Sequence, residues 1–415
     1  MNDLDSKVFF PELRFPEFQL LGGWQYTNAN KLFKQVSNKN HNSDLPILAI
    51  TQEYGAIPRE LIDYNVTATE KSIKSYKVVD VGDFIISLRS FQGGIEYSTY
   101  KGICSPAYVV LRKTEGVNEE FFKHYFKTKR FIRDLTKNLE GLRDGKMISY
   151  KQFSEVFLPC PKPEEQKKVA NFLSSLDGLI QSEIAKCDSL KMHKKGLEHK
   201  LFAKKAALPE LRFAEFDGMW EESTVGQIAT VKSGGTPNRS NSEYWEGDIP
   251  WVSTTLINFN LINEVNEFIT KTGLDNSSAK IFPANTILMA MYGQGKTRGQ
   301  VAKLGMDASI NQACAALTLN KEVSTDFVYH SLAASYEEIR SISNDGGQKN
   351  LSATLIKKIP FYYPDVKTGE QQKISDCLSS VEKLILLQEE KVEALKSYKK
   401  GFVQKIFPSR EEEYA

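Results

Sequence analysis

Two hydrophobic patterns alternate along this 415-residue chain. In the first, short β-branched and aromatic runs such as "PILAIT", "DFIISL" and "YVVL" are broken by Gly, Asn and Pro turns, which predicts strands. Helical stretches such as "NEEFFKHYFKTKRFIRDL" interrupt them, so this pattern predicts an α+β domain. In the second, from Glu164 to Phe202 and again from Gly369 to Phe407, there is no proline, and apolar residues recur at helical spacing. The first stretch places Val169, Leu173, Leu176, Ile180, Cys187, Leu190, Leu197 and Leu201 in this seam; the second places Ile374, Leu378, Val381, Ile385, Val392, Leu395, Phe402 and Ile406 there. Such a seam suits two helices wound together. At 1.5 Å per residue each helix would be about 60 Å long. Glu183 with Gln388 and Lys194 with Lys399 are polar in the seam of both stretches, and polar seam residues commonly fix register.

The alternation is a tandem duplication. "PELRFPEF" at Pro11 returns as "PELRFAEF" at Pro209, followed by Trp24 and Trp220 respectively. "GDFIISLRSFQGG" from Gly82 aligns with "ANTILMAMYGQGK" from Ala284, "SPAYVVL" from Ser105 with "NQACAAL" from Asn311, and "KMIS" from Lys146 with "KNLS" from Lys349. "EQKKVANFLSSLD" from Glu165 aligns with "EQQKISDCLSSVE" from Glu370. The copies lie about 200 residues apart throughout, a sign of repeated structural units. The expected layout is an α+β domain at 1–162, a spacer helix at 163–206, a second α+β domain at 207–367, a second spacer helix at 368–408 and a polar tail at 409–415.

Ala290-x-x-x-x-Gly295-Lys296-Thr297 fits a loose phosphate-loop pattern, which would make the chain an ATP-binding enzyme. A phosphate loop needs a helix directly after it, whose N-terminus holds the phosphates. The following "RGQVAKLGMDASINQ" carries two glycines and alternates polar with apolar, so it reads as a turn and a second strand. The other copy has Gln92-Gly93-Gly94-Ile95 there, which points to a shared loop with a variable tip.

Composition narrows the classes further. With 41% hydrophobic and 26% charged residues, the chain is an ordinary globular one. Neither a signal-peptide core nor an uncharged stretch of roughly 20 residues is present, so a cytoplasmic, non-membrane protein is expected. Cys104, Cys160, Cys187, Cys314 and Cys377 are scattered, which argues against a disulfide framework and a zinc site. A net charge of +2 leaves nucleic-acid binding to local patches. His41, His124, His193, His199 and His330 form no metal-ligand pair, and the isolated "PDVK" lacks the second acidic group of a nuclease core.

"SGGTP" (233–237), "IPWVS" (249–253), "YGQGKTRGQVA" (292–302), "INQACAAL" (310–317), "GGQKNLS" (346–352) and the Glu-Gln pairs that open the spacers come in a characteristic order. On these the chain resembles, over essentially its whole length, the specificity subunit of a type I restriction–modification enzyme. The first half departs from the pattern, with no SGGTP and "SPAYVV" in place of "NQACAA". The resemblance implies two target-recognition domains, each reading one half of a split, asymmetric target in double-stranded DNA. It implies that the two helices pair antiparallel, set the gap and dock the methyltransferase subunits. The chain would be non-catalytic and hold no cofactor or metal. Two modification subunits would bring S-adenosylmethionine, and two restriction subunits would use ATP and Mg2+.

DNA recognition needs donors for phosphates and side chains that meet base edges. The candidates in the second domain are Ser233, Gly234, Gly235 and Thr236, as a turn that lets backbone approach a phosphate, and the hairpin tip Tyr292, Gln294, Lys296, Thr297 and Arg298. In the first domain they are Arg89, Ser90 and Gln92; Lys146 and Lys349 are candidate phosphate contacts. The rival to both enzyme and DNA reader, a purely structural coiled-coil adaptor, leaves two large duplicated domains without work.

Overall fold

The structure, a computed structural model, describes residues 8–42, 44–62, 70–137, 148–203, 208–293, 296–342 and 350–407. Its two compact units are Met1–Ile184 with Glu390–Ala415, and Ala185–Glu389. Both unit boundaries therefore fall inside the long helices, which run from Pro163 to Leu201 and from Glu370 to Ile406. Each unit holds one α+β domain, the beginning of one long helix and the end of the other. The first long helix starts on Pro163, where a missing N–H costs nothing, and carries Glu164 and Glu165 in its first turn and His199 and Lys200 in its last, matching the helix dipole.

The strands of the first unit are β1 (Val8–Phe9), β2 (Trp24–Asn28), β3 (Phe33–Val36), β4 (Leu48–Thr51), β5 (Gly55–Pro58), β6 (Lys77–Val79), β7 (Phe84–Ile86), β8 (Glu96–Tyr97), β9 (Gly102–Cys104), β10 (Val109–Lys113) and β11 (Phe157–Cys160). They form a central antiparallel sheet in the order β3-β10-β7-β8, a sheet β1-β2-β11, and the pairs β4-β5 and β6-β9. The second unit has β12 (Glu221–Thr224), β13 (Ala229–Ser233), β14 (Trp245–Val252), β15 (Asn260–Ile262), β16 (Phe268–Ile269), β17 (Ile281–Phe282), β18 (Ile287–Ala290), β19 (Val301–Leu304), β20 (Ala308–Ile310), β21 (Cys314–Leu319) and β22 (Pro360–Tyr363). Its central sheet runs β13-β21-β18-β19-β15, beside β16-β14-β20-β17 and the pair β12-β22. Thus β3, β10, β7 and β8 repeat as β13, β21, β18 and β19, and β15 adds a parallel edge to the second copy.

Aromatic packing fills the first core: Phe33 meets the rings of Phe84, Phe122 and Phe126 at centroid distances of 5.5, 5.1 and 5.4 Å. Val169 and Leu173 of the first long helix and Ile406 of the second belong to this core. The second core is more aliphatic, built on Ile287, Met289, Leu317 and Phe327, with Leu201, Ile374 and Leu378 contributed by the helices. Cys104 and Cys314 are buried and free, and burial pushes both thiols up to about 12, so they pack as small hydrophobes.

Within each unit the two helices run antiparallel. In the first, Phe172 packs on Phe402, and Asp177 and Glu183 pair with Lys399 and Lys391, so partner numbers fall as helix numbers rise. In the second, Lys191 pairs with Glu389 at 2.6 Å and Lys194 with Glu382 at 2.8 Å. Of the seam positions, Ile180, Cys187, Ile385 and Val392 are buried; Leu176, Leu190, Leu197, Val381, Leu395 and Phe402 are half-buried. The polar seam residues Glu183, Lys194 and Lys399 each pair with a charge on the opposite helix, a geometry suited to holding register.

The repeated sequence motifs close these units. Arg14 of the first "PELRF" grips Glu165 at 2.7 and 2.8 Å, and Arg212 of the second grips Glu370 at 2.7 Å twice. The neighbouring Gln166 accepts from the Asn118 amide at 2.9 Å and donates to the Pro161 carbonyl at 2.8 Å; Gln371 does the same with Ser324 and Pro364. Buried His124 meets Ser174 at 3.3 Å, and His330 meets Ser379 at 3.1 Å. Each domain is thereby pinned to the start of the long helix that follows it.

Candidate nucleic-acid interface

Strand register decides which loops meet. In the second unit, Ser233 at the end of β13 faces Ala315 at the start of β21, Ala290 at the end of β18 faces Cys314, Met289 faces Val301 at the start of β19, and Asn260 at the start of β15 faces Ala302. The loops after β13 and β18 and before β21, β19 and β15 therefore converge on one edge of the central sheet. The neighbouring sheet joins them there, because the Asn311 amide donates to Val252, the last residue of β14, at 2.9 Å. Leu351 donates to the Met291 carbonyl at 2.9 Å, so the chain leaving "GGQKNLS" arrives at the same edge. Five segments scattered over about 120 residues of sequence form one polar surface, a common way for a rigid scaffold to present binding loops.

The phosphate-loop reading fails on this geometry. β18 pairs antiparallel with β19, the next element, and among the described residues between them there is no helix whose N-terminus could hold phosphates. Tyr292 and Lys296 are exposed at its tip and Thr297 is half-exposed. Gln294 and Gly295 lie outside the described residues, as do Lys146 and Lys349.

Arg298 is turned the other way. It is 8% exposed and its guanidinium donates to the Arg340 carbonyl at 2.7 Å, so it anchors the hairpin to the helical segment behind it instead of facing a groove. The Tyr336 hydroxyl on that segment also holds the Lys296 carbonyl. Gly234 and Gly235 are likewise inward. Their amides donate to Cys314 and Ile310 at 3.3 and 2.9 Å, and a Cβ at Gly234 would sit 2.0 Å from the Ile310 carbonyl. The close approach these glycines permit in the folded chain is to the protein's own backbone. Ser233 and Thr236 remain on the open side, with the Thr236 hydroxyl bonded to the Gln312 side-chain oxygen.

The first unit builds the same edge from different residues. Val36 ends β3 opposite Val110, Ile86 ends β7 opposite Val109, and Glu96 begins β8 opposite Ile85. Arg89 and Gln92 are exposed on the hairpin there, beside Phe91. Ser90 is buried, and its hydroxyl accepts from the Ser87 amide at 2.9 Å, so it closes the turn and is withdrawn from solvent. Lys127 fixes this tip from behind, bonding the Gly93 carbonyl at 3.2 Å and Glu96 at 2.5 Å. Burial raises the Glu96 carboxyl while the Lys127 ammonium opposes the shift.

Sequence reading overlooked "SNKNHN", residues 37–42, which leaves β3 where "SGGTP" leaves β13 and is exposed at Ser37, Asn38, Lys39, Asn40 and Asn42. The signal was present in the repeat: β3 begins nine residues after Trp24 (33 − 24) and β13 nine after Trp220 (229 − 220). It also overlooked Gln312, Gln300 and Asn258, whose amides reach the second edge already oriented; Gln300 donates to Asn258 at 3.1 Å. Among the described residues no group of three or more His, Cys, Asp or Glu could hold a metal ion, and no helix is long and apolar enough to cross a membrane.

The sequence profile described as the type I restriction modification DNA specificity domain matches residues 24–192 and 218–397. The chain is 26% identical over 254 residues to the EcoR124I/EcoR124II specificity subunit of Escherichia coli, covering 59% of this chain and 60% of that one. It is 28% identical over 205 residues to the MjaIX specificity subunit of Methanocaldococcus jannaschii, covering 47% and 46%. The MjaVIII specificity subunit of the same organism matches at 21% identity over 417 residues, covering 96% and 94%. In fold, the chain is similar to the type I restriction-modification S subunit of M. genitalium, with a TM-score of 0.57 at 17% identity and coverage of 97% and 100%. It is similar also to a chain from a structure concerned with complex assembly and conformational transition of the type I R-M system, with a TM-score of 0.59 at 15% identity and coverage of 93% and 97%.

Proposed function

The chain belongs to the type I restriction modification DNA specificity family, and from that premise we propose that it selects the DNA target of a restriction–modification complex, each domain reading one half of a split, asymmetric sequence. The observation that carries this reading is the repeated sheet edge. The same strand order collects the same loops in both copies, yet the exposed side chains differ: Asn38, Lys39, Asn40, Arg89 and Gln92 in one, Gln312, Asn258, Tyr292 and Lys296 in the other. A shared scaffold with unlike donors and acceptors suits recognition of unlike base edges.

The chemistry lies in partners under this proposal. Modification subunits bind S-adenosylmethionine and dock on the long helices, restriction subunits use ATP and Mg2+, and the assembly works in the cytoplasm. The helices act as the ruler between half-sites. Sequencing of methylated bases in cells carrying this chain and its modification subunit tests the reading. The expected result is a bipartite, asymmetric motif with a gap of fixed length, in which replacing the tip at 292–298 alters one half only. A contiguous or palindromic motif would overturn it.

A further inference from the structure

Arg239 lies five residues beyond Gly234, in the loop that runs from the "SGGTP" turn into β14. Its guanidinium carbon stands 3.8 Å from the centre of the Trp245 ring and 4.8 Å from that of Trp251. These rings are themselves fixed, crossing at 83° with centroids 5.2 Å apart. The Trp251 indole donates to the Gly235 carbonyl at 3.0 Å, so the cage is tied to the recognition turn, and the Trp245 indole donates to the Asn238 carbonyl at 3.2 Å. The guanidinium also pairs with Glu267, while 54% of the side chain stays exposed.

A free arginine loses rotamer entropy when it binds; one held against two indole rings and paired with Glu267 has already lost part of it, so its planar fork is pre-organised. Glu267 then discriminates between the two groups DNA offers such a fork. A phosphate would meet the carboxylate's repulsion along with the guanidinium's attraction, whereas a neutral pair of acceptors on a base edge meets donors without that penalty. The base that presents two adjacent major-groove acceptors is guanine, through O6 and N7. The feature also differs between copies: the matching stretch of the first unit, residues 37–55, holds no arginine or tryptophan, as expected of a group that reads sequence.

We propose that Arg239 reads a guanine in the half-site met by the second domain, donating to its O6 and N7. The inference rests on the DNA-reading function above and adds a residue and a base to it. The test uses the full chain co-expressed with its modification subunits, selected against duplexes with randomised sequence, for the unsubstituted protein, Arg239→Lys, Arg239→Ala and Glu267→Gln. The unsubstituted complex should enrich a split motif with guanine in the half-site assigned to this domain by tip replacement. Arg239→Lys, which keeps the charge and loses the fork, should lower the preference for that guanine on the order of ten- to hundred-fold, with the other half-site and the salt dependence unchanged. Glu267→Gln should strengthen binding to unrelated duplexes. Retention of the guanine preference in Arg239→Lys and Arg239→Ala, or absence of guanine from that half-site, would sink the proposal. So would an equal loss on all duplexes with a shallower salt slope, since that marks a phosphate contact. No enriched split motif from the unsubstituted complex would instead remove the functional reading itself.

Discussion

Arg212→Ala takes one member from a buried ion pair whose geometry allows the cost to be worked out. Glu370 is fully buried and receives two hydrogen bonds of 2.7 Å from Arg212, plus a longer one of 3.4 Å from the Trp220 indole. Without the arginine, the carboxylate keeps, among the described residues, the long indole contact. Breaking such a pair from one side typically costs about 3–5 kcal/mol, because a buried charge is left uncompensated. In a unit of about 200 residues that corresponds to a melting shift of about 10 °C or somewhat more. The pair's net worth is smaller, since both ions were desolvated to form it. The double variant Arg212→Met with Glu370→Leu should therefore come within about 1 kcal/mol of the original stability, or exceed it. Urea unfolding followed by tryptophan fluorescence, run on both variants, separates these outcomes. The equivalent Arg14→Ala, which strips Glu165 of its 2.7 and 2.8 Å bonds, repeats the experiment in the other unit. Equal losses in the single and double variants would refute the reasoning, as would a loss below about 1 kcal/mol in both single variants.

Arg298→Ala should lower stability measurably by calorimetry, since its bond to Arg340 ties the hairpin down. Lys296→Ala, at an exposed position, should leave the melting temperature unchanged and reduce the salt slope of DNA binding by about one in a filter-binding titration. His124 and His330 are held near a pKa of about 3, chiefly by burial, with Lys399 and Lys194 adding to the depression. Their unfolded forms take a proton below about pH 6.5 and the folded forms refuse it, so each should remove up to about 1.4 kcal/mol of stability per pH unit as pH falls from 6.5 towards 3. The His124→Gln and His330→Gln double variant should flatten that dependence in urea titrations at stepped pH; an unchanged slope would exclude these residues as its source. Inserting one heptad into either long helix adds about 10 Å, or about three base pairs, and should lengthen the gap in the methylated motif or abolish methylation while sparing both half-sites. A motif with new half-sites and the old gap would show that the helices are not the ruler.

The local pattern alone was enough for the long helices, the strand that follows the Gly-Lys-Thr segment and the duplication. The helices and the strand depend on periodicity within one segment, which backbone geometry turns directly into a face or a pleat, and the duplication on direct likeness between two segments. Side-chain direction at the candidate site was a different matter. Arg298 and Lys296 sit two residues apart in the same polar loop, yet one is buried against Arg340 and the other meets solvent. Ser90 looked like a donor at a tip and closes a turn instead, while Gly234 and Gly235 serve a backbone contact with β20 and β21. The partners that decide these roles lie far away in the chain: 42 residues for Arg298, 151 for Arg14, 158 for Arg212. Sequence periodicity carries no record of which distant segment arrives opposite a side chain, because that is set by sheet order and packing. Repetition made "PELRF" and the Glu-Gln pairs visible, since both recur, but only the folded units bring each arginine to its glutamate and leave Arg239, a lone residue in a polar loop, held against two tryptophans at the edge where the loops meet.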